Sequence, residues 1–377
     1  AFREQLARSG VAVIGPNDQF LSYIGDVLPA LGEIDARSET ITSLLSAATN
    51  ALPKATEDAR VGVVKGDARL ATVLANAVWG SLAEASEPLL VPRGSRRIRL
   101  SAGRVGEAVD AVRSLGVRYE AGRLLLAQRL AHEGLVYLES LGETTDDRVQ
   151  NAVARHPATR AAVERVWPKL TATRVLHRLL SDADHLARCA DGVLDADEQA
   201  ALLWVRPPRT PAAARWTLAD LALLDELGDL LNRTPSLGHV ILDEAQDLSP
   251  MMLRAVGRRA STGSLTVLGD LAQATTPWGA TDWPTALGHL GHPDARVTEL
   301  VEGFRVPGEV IDLAARLLPL IAPGLTPPRS VRRSRGELVI TEVADAVAAL
   351  PAAVAALADR EGTVGLIVPD ALVPEAK

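Results

Sequence analysis

The sequence predicts an α/β protein built on a parallel β-sheet. Three short apolar runs carry this prediction, at residues 11–14, 239–242 and 264–268. Each has the length and residue types of a buried parallel strand, and Gly or Pro residues delimit them. A helical pattern follows the first run directly. Alternation of buried strands with helices is the pattern of an α/β fold.

The first strand leads into a helix. A Gly-Pro turn ends the run at residues 11–14, and Asn17 or Asp18 is placed to cap a helix over residues 19–31. The apolar positions of that stretch follow the helical period. We expect a further short strand at residues 60–64.

A long, mainly helical stretch separates this strand from the second apolar run. Residues 105–205 carry Leu, Ala, Val, Arg and Glu at helical spacing. Near its end, Thr217 is placed as an N-cap with Asp220 three residues on, close to a capping box. The helix that it starts is expected to end at about Leu231 and to lead into the strand at residues 239–242.

The last part of the chain returns to alternation. Its pattern predicts a helix over residues 308–321, a strand over 337–343, an Ala-rich helix over 344–359 and a buried strand over 364–368. This order suits a second α/β domain.

The bulk composition is that of a globular protein with room for two or three domains. The chain has 377 residues and a formal net charge of −7, which argues against a surface dominated by nucleic-acid contacts. Cys189 is the only cysteine, so no intrachain disulfide can form. With no apolar run of roughly 18 residues and no signal-peptide pattern, we expect a cytoplasmic protein without membrane contact.

The most informative motif follows the second apolar run. Asp243 and Glu244 stand at the end of that strand, ahead of Gln246 and Asp247. A carboxylate in the first position can hold Mg²⁺, and one in the second can orient and deprotonate a water that attacks a phosphate. A chance acidic turn is the alternative, with Gln246 and Asp247 capping the next helix.

Two further motifs follow in order. The strand at residues 264–268 ends in Gly-Asp at Asp270, and Gln273 follows three residues later. Arg305 comes after the next apolar segment. An amide and a guanidinium in this order suit phosphate sensing and charge stabilisation. The alternative for the arginine is an ion pair with a nearby glutamate, Glu299 or Glu302.

Together these motifs resemble motifs II, III and IV of the superfamily 1A helicase-type ATPases, at residues 243–247, 269–273 and 304–305. The resemblance implies a RecA-like parallel sheet of the P-loop NTPase fold. It also implies ATP and Mg²⁺ as cofactors.

The resemblance also implies a role for each residue. Asp243 is the Mg²⁺-associated carboxylate, and Glu244 is the general base. Gln273 contacts the γ-phosphate or the attacking water, and Asp270 supports that network. Arg305 reaches the phosphates from a second domain.

The family's phosphate loop is missing from this sequence, because no GxxxxGK[ST] occurs in it. The family places that loop just upstream of Ala1, so we expect an internal fragment that is inactive alone. The expected domains are a first RecA-like part at 1–90, a mainly helical insertion at 91–211, the rest of the first domain at 212–296, and the start of a second RecA-like domain at 297–377.

Further stretches are similar to the HelD family of bacterial RNA polymerase-recycling ATPases, at residues 13–17, 20–24, 27–33, 65–67, 167–171, 214–217 and 221–226. The long insertion before motif II is similar to that family as well. This resemblance implies RNA polymerase core as the partner and release of nucleic acid as the function, with direct nucleic-acid contact also open.

Two alternatives stay open. One is a 3′–5′ DNA helicase or translocase of the UvrD/Rep type, which needs stacking aromatics along a basic channel. Only 3% of the residues are aromatic, and Trp278 and Trp283 are the best candidates for a base platform. Core packing is the competing interpretation of both tryptophans. The other alternative is a scaffold that only carries the insertion.

Overall fold

The chain divides into two compact units, Ala1–Val297 and Thr298–Lys377. The computed structural model describes residues 9–27, 36–94, 96–332, 338–358, 364–369 and 372. Each unit is presented by itself.

A parallel sheet organises the first unit. Its strands are β1 (Val11–Gly15), β2 (Ala36–Thr40), β5 (His239–Leu242) and β6 (Ser264–Val267). They are ordered β2–β1–β5–β6 within the described ranges, and all pairs are parallel. The predicted α/β class with a parallel sheet is therefore confirmed at this level.

Two chain segments more than 200 residues apart in sequence form the centre of this sheet. Ala12 pairs with Val240, and Ile14 pairs with Leu242. These four side chains are buried, as expected for central strands covered on both faces. The central position of β5 places the Asp-Glu pair that follows it at the carboxyl edge of the sheet.

Helices cover the sheet and fill the long connection between β1 and β5. The helices of the first unit are α1 (Asp18–Val27), α2 (Ile41–Thr49), α3 (Ala59–Gly66), α4 (Leu70–Trp79), α5 (Ala102–Arg113), α6 (Tyr119–Ser140), α7 (Asp147–Arg155), α8 (Pro157–Val166), α9 (Ala172–Ser181), α10 (Ala183–Ala190), α11 (Ala196–Leu202), α12 (Leu218–Leu231), α13 (Pro250–Arg259) and α14 (Trp283–His289). An antiparallel hairpin, β3 (Leu89–Arg93) with β4 (Arg96–Leu100), interrupts them.

Helix α12 is the structural link between the helical region and the sheet. It packs against α4, α9, α2 and α13, and apolar residues lie on every side of it. A helix that is apolar all round is stable only when it is surrounded by protein. Its start is the predicted capping box, in which Thr217 accepts from the Asp220 backbone N–H and Asp220 accepts from the Thr217 backbone N–H.

Buried ion pairs fix α12 to its neighbours. Asp225 accepts from Arg259 at 2.6 Å and also pairs with Arg258, which in turn binds Glu226. Burial alone raises the pKa of Asp225, but the hydrogen bond and charge of Arg259, together with Arg258, outweigh burial and hold this pKa below its ordinary value. The carboxylate is therefore ionised in the folded protein at neutral pH.

A second buried charge joins α12 to α3. The Lys65 ammonium lies 2.7 Å from both Asp220 and Glu57. Burial alone lowers the pKa of Lys65, but the two carboxylates outweigh burial and raise the pKa above its ordinary value. This lysine is therefore a charged structural residue.

The second unit contains short elements. They are β7 (Glu302–Gly303), β8 (Arg329–Ser330), α15 (Gly308–Ala315), α16 (Leu318–Ile321) and α17 (Ala346–Ala358). The two strands pair in parallel, and α15 follows the Arg305 segment.

Several sequence predictions about local structure were wrong. Residues 60–64 belong to helix α3 and not to a strand, because Asp58 caps the helix by accepting from the Arg60 N–H. The helix expected over 308–321 is divided into α15 and α16. Residues 338–343 and 364–368 form no strand in the described part of the second unit. Residues 28–31, 337 and 359, at the ends of other predicted elements, lie outside the described residues.

Candidate functional site

The candidate site lies where β5 and β6 end. Asp243 follows β5, and Asp270 follows the end of β6 at the same edge of the sheet. Backbone hydrogen bonds continue beyond the strands: the Asp243 N–H donates to Ile14 O at 2.9 Å, and the Ala245 N–H donates to Leu268 O at 3.0 Å. Ligands of open α/β sheets bind outside the carboxyl ends of the strands, so this edge is the expected place for a site.

Glu244 has an unusual backbone conformation for its residue type. Its φ of 51° and ψ of 41° place it in the left-handed region. A non-glycine residue there costs roughly 1–2 kcal/mol, and such residues cluster at functional sites. The left-handed turn ends the strand abruptly and begins the 3₁₀ turn Ala245–Asp247. The Glu244 N–H donates to Asp243 Oδ1 at 3.0 Å, which joins the two acidic residues.

Gln246 connects the segment after β5 to the segment after β6. Its amide nitrogen donates to Glu244 Oε2 at 2.7 Å. Its amide oxygen accepts from the Asp270 backbone N–H at 3.0 Å. Gln246 is only 1% exposed, whereas Glu244 is half-buried and Asp270 is exposed. Gln246 was expected from the sequence only as a possible helix cap, and this connection was not predicted.

Asp270 and Gln273 extend the same network. The Gln273 amide donates to Asp270 Oδ2 at 2.7 Å, and Asp270 Oδ1 accepts from the Ala272 N–H at 3.0 Å. A continuous hydrogen-bonded chain therefore runs from Glu244 through Gln246 and Asp270 to Gln273. The structure thus brings together four of the five predicted site residues, with Asp243 bonded to Glu244.

Gly269 allows the two segments to approach each other. A Cβ atom at this position lies 2.6 Å from Gln246 Oε1 and 2.9 Å from the Trp283 ring. Real Cβ atoms do not come that close to other heavy atoms, so any larger residue must displace the buried amide. The glycine before Asp270 is the sequence signal that points to this contact.

Helix α13 does not use Gln246 or Asp247 as its cap. Ser249 is the N-cap, with its hydroxyl accepting from the Met252 N–H. Asp247 instead holds the segment after Gln273, because its carboxylate accepts from both the N–H and the hydroxyl of Thr275. The capping alternative was therefore wrong for both residues.

The two tryptophans after Gln273 are packing residues. The indole N–H of Trp278 donates to the Asp247 carbonyl at 3.1 Å, and its ring lies against Gly62 of α3. Trp283 starts α14 and packs on the core of the sheet beside Gly269. Both side chains are half-buried. These contacts favour the packing interpretation over a stacking platform for bases.

Arg305 lies in the second unit, between β7 and α15, and its side chain is exposed. Within the described residues it forms no ion pair with Glu299 or Glu302; Glu299 accepts instead from the Thr326 hydroxyl at 2.8 Å. The approach of Arg305 to the other four residues stays a prediction.

A cavity of about 640 Å³ lies away from these residues, where α6 begins and where α12 and α13 end. Three of its four charged lining groups, Arg118, Asp229 and Arg258, are already in ion pairs, and the fourth is Arg233. Arg118 binds Asp229 at 2.6 Å, and Arg258 binds Asp225 and Glu226. We therefore assign no ligand to this cavity.

Comparisons with known proteins give no family for the chain. No protein-family model matches it, and no curated protein is similar to it in sequence. None of the helices in the described ranges has both the length and the apolar character that a bilayer span requires.

Proposed function

We propose that this chain is part of an ATP-hydrolysing motor with a RecA-like fold, of the superfamily 1A type. The observation that carries the proposal is the hydrogen-bonded chain from Glu244 to Gln273. It joins a carboxylate after one parallel strand to an amide after the next, at the edge where an α/β sheet binds its ligands. A chance acidic turn gives no reason for such a connection.

Each residue then has one task in ATP hydrolysis. Asp243 holds Mg²⁺ through its carboxylate, and Glu244 accepts the proton of the attacking water. Asp270 fixes the Gln273 amide, which carries two N–H groups, so that one bond to Asp270 leaves the other for a phosphate oxygen. Arg305 stabilises the negative charge that develops on the transferred phosphoryl group.

The residues at this edge suit a magnesium ion that arrives with a nucleotide. The described residues contain no group of three or more His, Cys, Asp or Glu side chains that could enclose a metal. Mg²⁺ at a nucleotide needs only one or two protein carboxylates, with water and phosphate oxygens as its other ligands. One oxygen of the half-buried Asp243 accepts from the Glu244 N–H, which leaves the second oxygen for this role.

A phosphate loop has a suitable position beside β6. Among the described residues β2 and β6 are the two edge strands of the sheet, and Gln273 follows β6. If a further parallel strand paired with β6, a phosphate loop at the carboxyl end of that strand would lie next to Gln273 and Asp270. No GxxxxGK[ST] stretch occurs in these 377 residues, so the proposal assigns the loop to the rest of a longer protein.

We propose RNA polymerase core as the partner, in line with the resemblance to the HelD family. The support from the chain is its net charge of −7 and its large helical region between β1 and β5. Asp184, Asp191 and Asp197 of that region are exposed and suit a basic protein surface that otherwise binds DNA.

The helicase alternative has less support. Non-specific binding of single strands uses exposed aromatic side chains on which bases stack. Trp278 and Trp283 are instead held in packing contacts. We therefore keep duplex unwinding as the alternative outcome of the test.

The test compares two ligands with the full-length protein. Affinity for RNA polymerase core and affinity for single-stranded DNA are measured by fluorescence anisotropy, with and without ATP. Tighter binding to the polymerase supports the proposal. Tight DNA binding with duplex unwinding and without polymerase association would move the protein to the helicase class.

A further inference from the structure

Gln246 lies in the segment after β5 without an assigned role in ATP hydrolysis, yet it contacts both Glu244 of that segment and Asp270 of the segment after β6. It is buried, and both ends of its amide are in use, one toward Glu244 and the other toward the Asp270 N–H. The Glu244 carboxylate can accept a hydrogen bond only from the NH₂ group of the Gln246 amide, and the Asp270 N–H can donate only to its oxygen. The orientation of the amide is therefore determined by its two partners.

We propose that Gln246 is a positioning residue that couples the base Glu244 to the phosphate-sensing Gln273. This inference rests on the proposed ATPase function. Gln246 holds the Glu244 carboxylate by one hydrogen bond and fixes the backbone of Asp270, which in turn holds the Gln273 amide. A displacement of Glu244 is therefore transmitted through these hydrogen bonds to Gln273, and the reverse also holds.

The surroundings of Gln246 leave it little freedom to do anything else. Gly269 faces its amide oxygen so closely that a Cβ atom there lies at 2.6 Å. Its own backbone carbonyl accepts from the Ala280 N–H at 2.9 Å. The turn that contains Gln246 is thus bonded on both sides, and the side chain cannot move without disturbing Glu244 or Asp270.

A core-filling role and a positioning role predict different effects of Gln246→Glu in the full-length protein. The new carboxylate keeps the size of the side chain and an oxygen for the Asp270 N–H. It also replaces the donor to Glu244 by a like charge, so the hydrogen bond that holds the base is lost. We expect turnover of ATP at pH 7 to fall about 10–100-fold, as for a misplacement of catalytic groups. The KM for ATP should change less than about twofold, so the loss should appear in kcat.

A matched control is Gln199→Glu in α11. The Gln199 amide donates to the Leu194 carbonyl at 2.9 Å, far from this network in sequence and in fold. The same chemical change there should leave both kcat and KM as in the wild type. A wild-type kcat for Gln246→Glu overturns the inference.

A double-mutant cycle keeps the inference testable if Gln246→Glu does not fold. Gln246→Met keeps the length of the side chain and removes both hydrogen bonds. If Gln246 and Gln273 act through the same series of hydrogen bonds, the loss of kcat in the double variant should be clearly smaller than the product of the losses in Gln246→Met and Gln273→Ala. A full product of the two losses refutes the coupling.

The ATPase proposal has its own, separate outcome. If the full-length wild type does not hydrolyse ATP, the proposed function fails. If the wild type hydrolyses ATP and Glu244→Gln abolishes this, while the Gln246 variants behave as the wild type, only the coupling role fails.

Discussion

Asp225→Asn is expected to cause a large loss of stability, because it removes the buried charge that fixes α12 to α13. Only 3% of the Asp225 side chain is exposed, and 9% of that of Arg259. The substitution leaves the Arg259 guanidinium buried without its counter-charge. Breaking a buried ion pair in this way costs about 3–5 kcal/mol.

The expected change in melting temperature follows from the size of the first unit. An unfolding entropy of about 2.1 cal/mol/K per residue over roughly 300 residues gives about 1.6 °C per kcal/mol. Asp225→Asn should therefore lower the Tm by about 5–8 °C. Differential scanning calorimetry at pH 7 measures this directly. Asp197→Asn is the matched control, since Asp197 is 88% exposed and lies 4.0 Å from Arg60, and such pairs contribute at most about 1 kcal/mol.

The same carboxylate predicts a dependence on pH. The folded pKa of Asp225 lies below its ordinary value of 3.8, so its stabilising effect is complete above the unfolded pKa and is lost as the pH falls through the folded pKa. The difference in Tm between the wild type and Asp225→Asn should be constant near neutral pH and should shrink below about pH 4. A difference of less than about 1.5 °C at pH 7, equal to that of the control, would refute this account of α12.

Three further predictions concern packing, activity and the partner. Gly257→Ala should destabilise the protein by about 1–3 kcal/mol in urea unfolding, because a Cβ atom at this position lies 2.2 Å from the Leu290 carbonyl oxygen. Gly228→Ala is the control and should be neutral or stabilising, because a Cβ atom there meets no neighbour within 4 Å. Equal effects of the two substitutions would contradict the packing of α13 on α14. The purified chain of 377 residues should show no ATP turnover in a phosphate-release assay, since it has no phosphate loop, and steady turnover contradicts this. Changing Asp184, Asp191 and Asp197 together to Lys should weaken polymerase binding in a pull-down at low salt. Added salt should also weaken wild-type binding. If neither change affects binding, these exposed acidic residues are not part of the interface.

The sequence predicted three of the four strands of the parallel sheet, because each of the three is a short apolar run, whereas the polar strand β2 was not predicted. Val240 and Leu242 are fully buried and pair with β1 as the composition of both runs requires. The start of α12 was also predictable, since a capping box is a local signal, and Thr217 and Asp220 form it as expected.

Other elements depend on contacts that a local pattern does not contain. The apolar run at residues 60–64 suits a strand equally well, but the Asp58 cap and the packing of Gly62 against Trp278 select helix α3. β3 and β4 were not predicted, since alternation along five residues in a basic segment gave little sign of a buried face at Val91 and Ile98.

The candidate site was predicted in its parts but not in its connection. Asp243, Glu244, Asp270 and Gln273 could be chosen because each has a chemical type that phosphate transfer requires. Gln246 lies within residues 243–247, but its residue type indicated no chemical role in phosphate transfer. Its position between the other residues follows only from the parallel pairing of β5 with β6 and from the close approach at Gly269.

Glu244→Gln in the full-length protein tests the central claim most directly. The amide keeps the shape of the side chain and an oxygen for the Gln246 donor, but it cannot accept the proton of the attacking water. We expect affinity for ATP to stay within about twofold, in isothermal titration calorimetry with Mg²⁺, and turnover to fall by about 10²–10⁴. The control Glu107→Gln, at an exposed position of α5, should change neither quantity. Retained turnover, or an equal loss of binding and turnover, would contradict the assignment of Glu244 as the base.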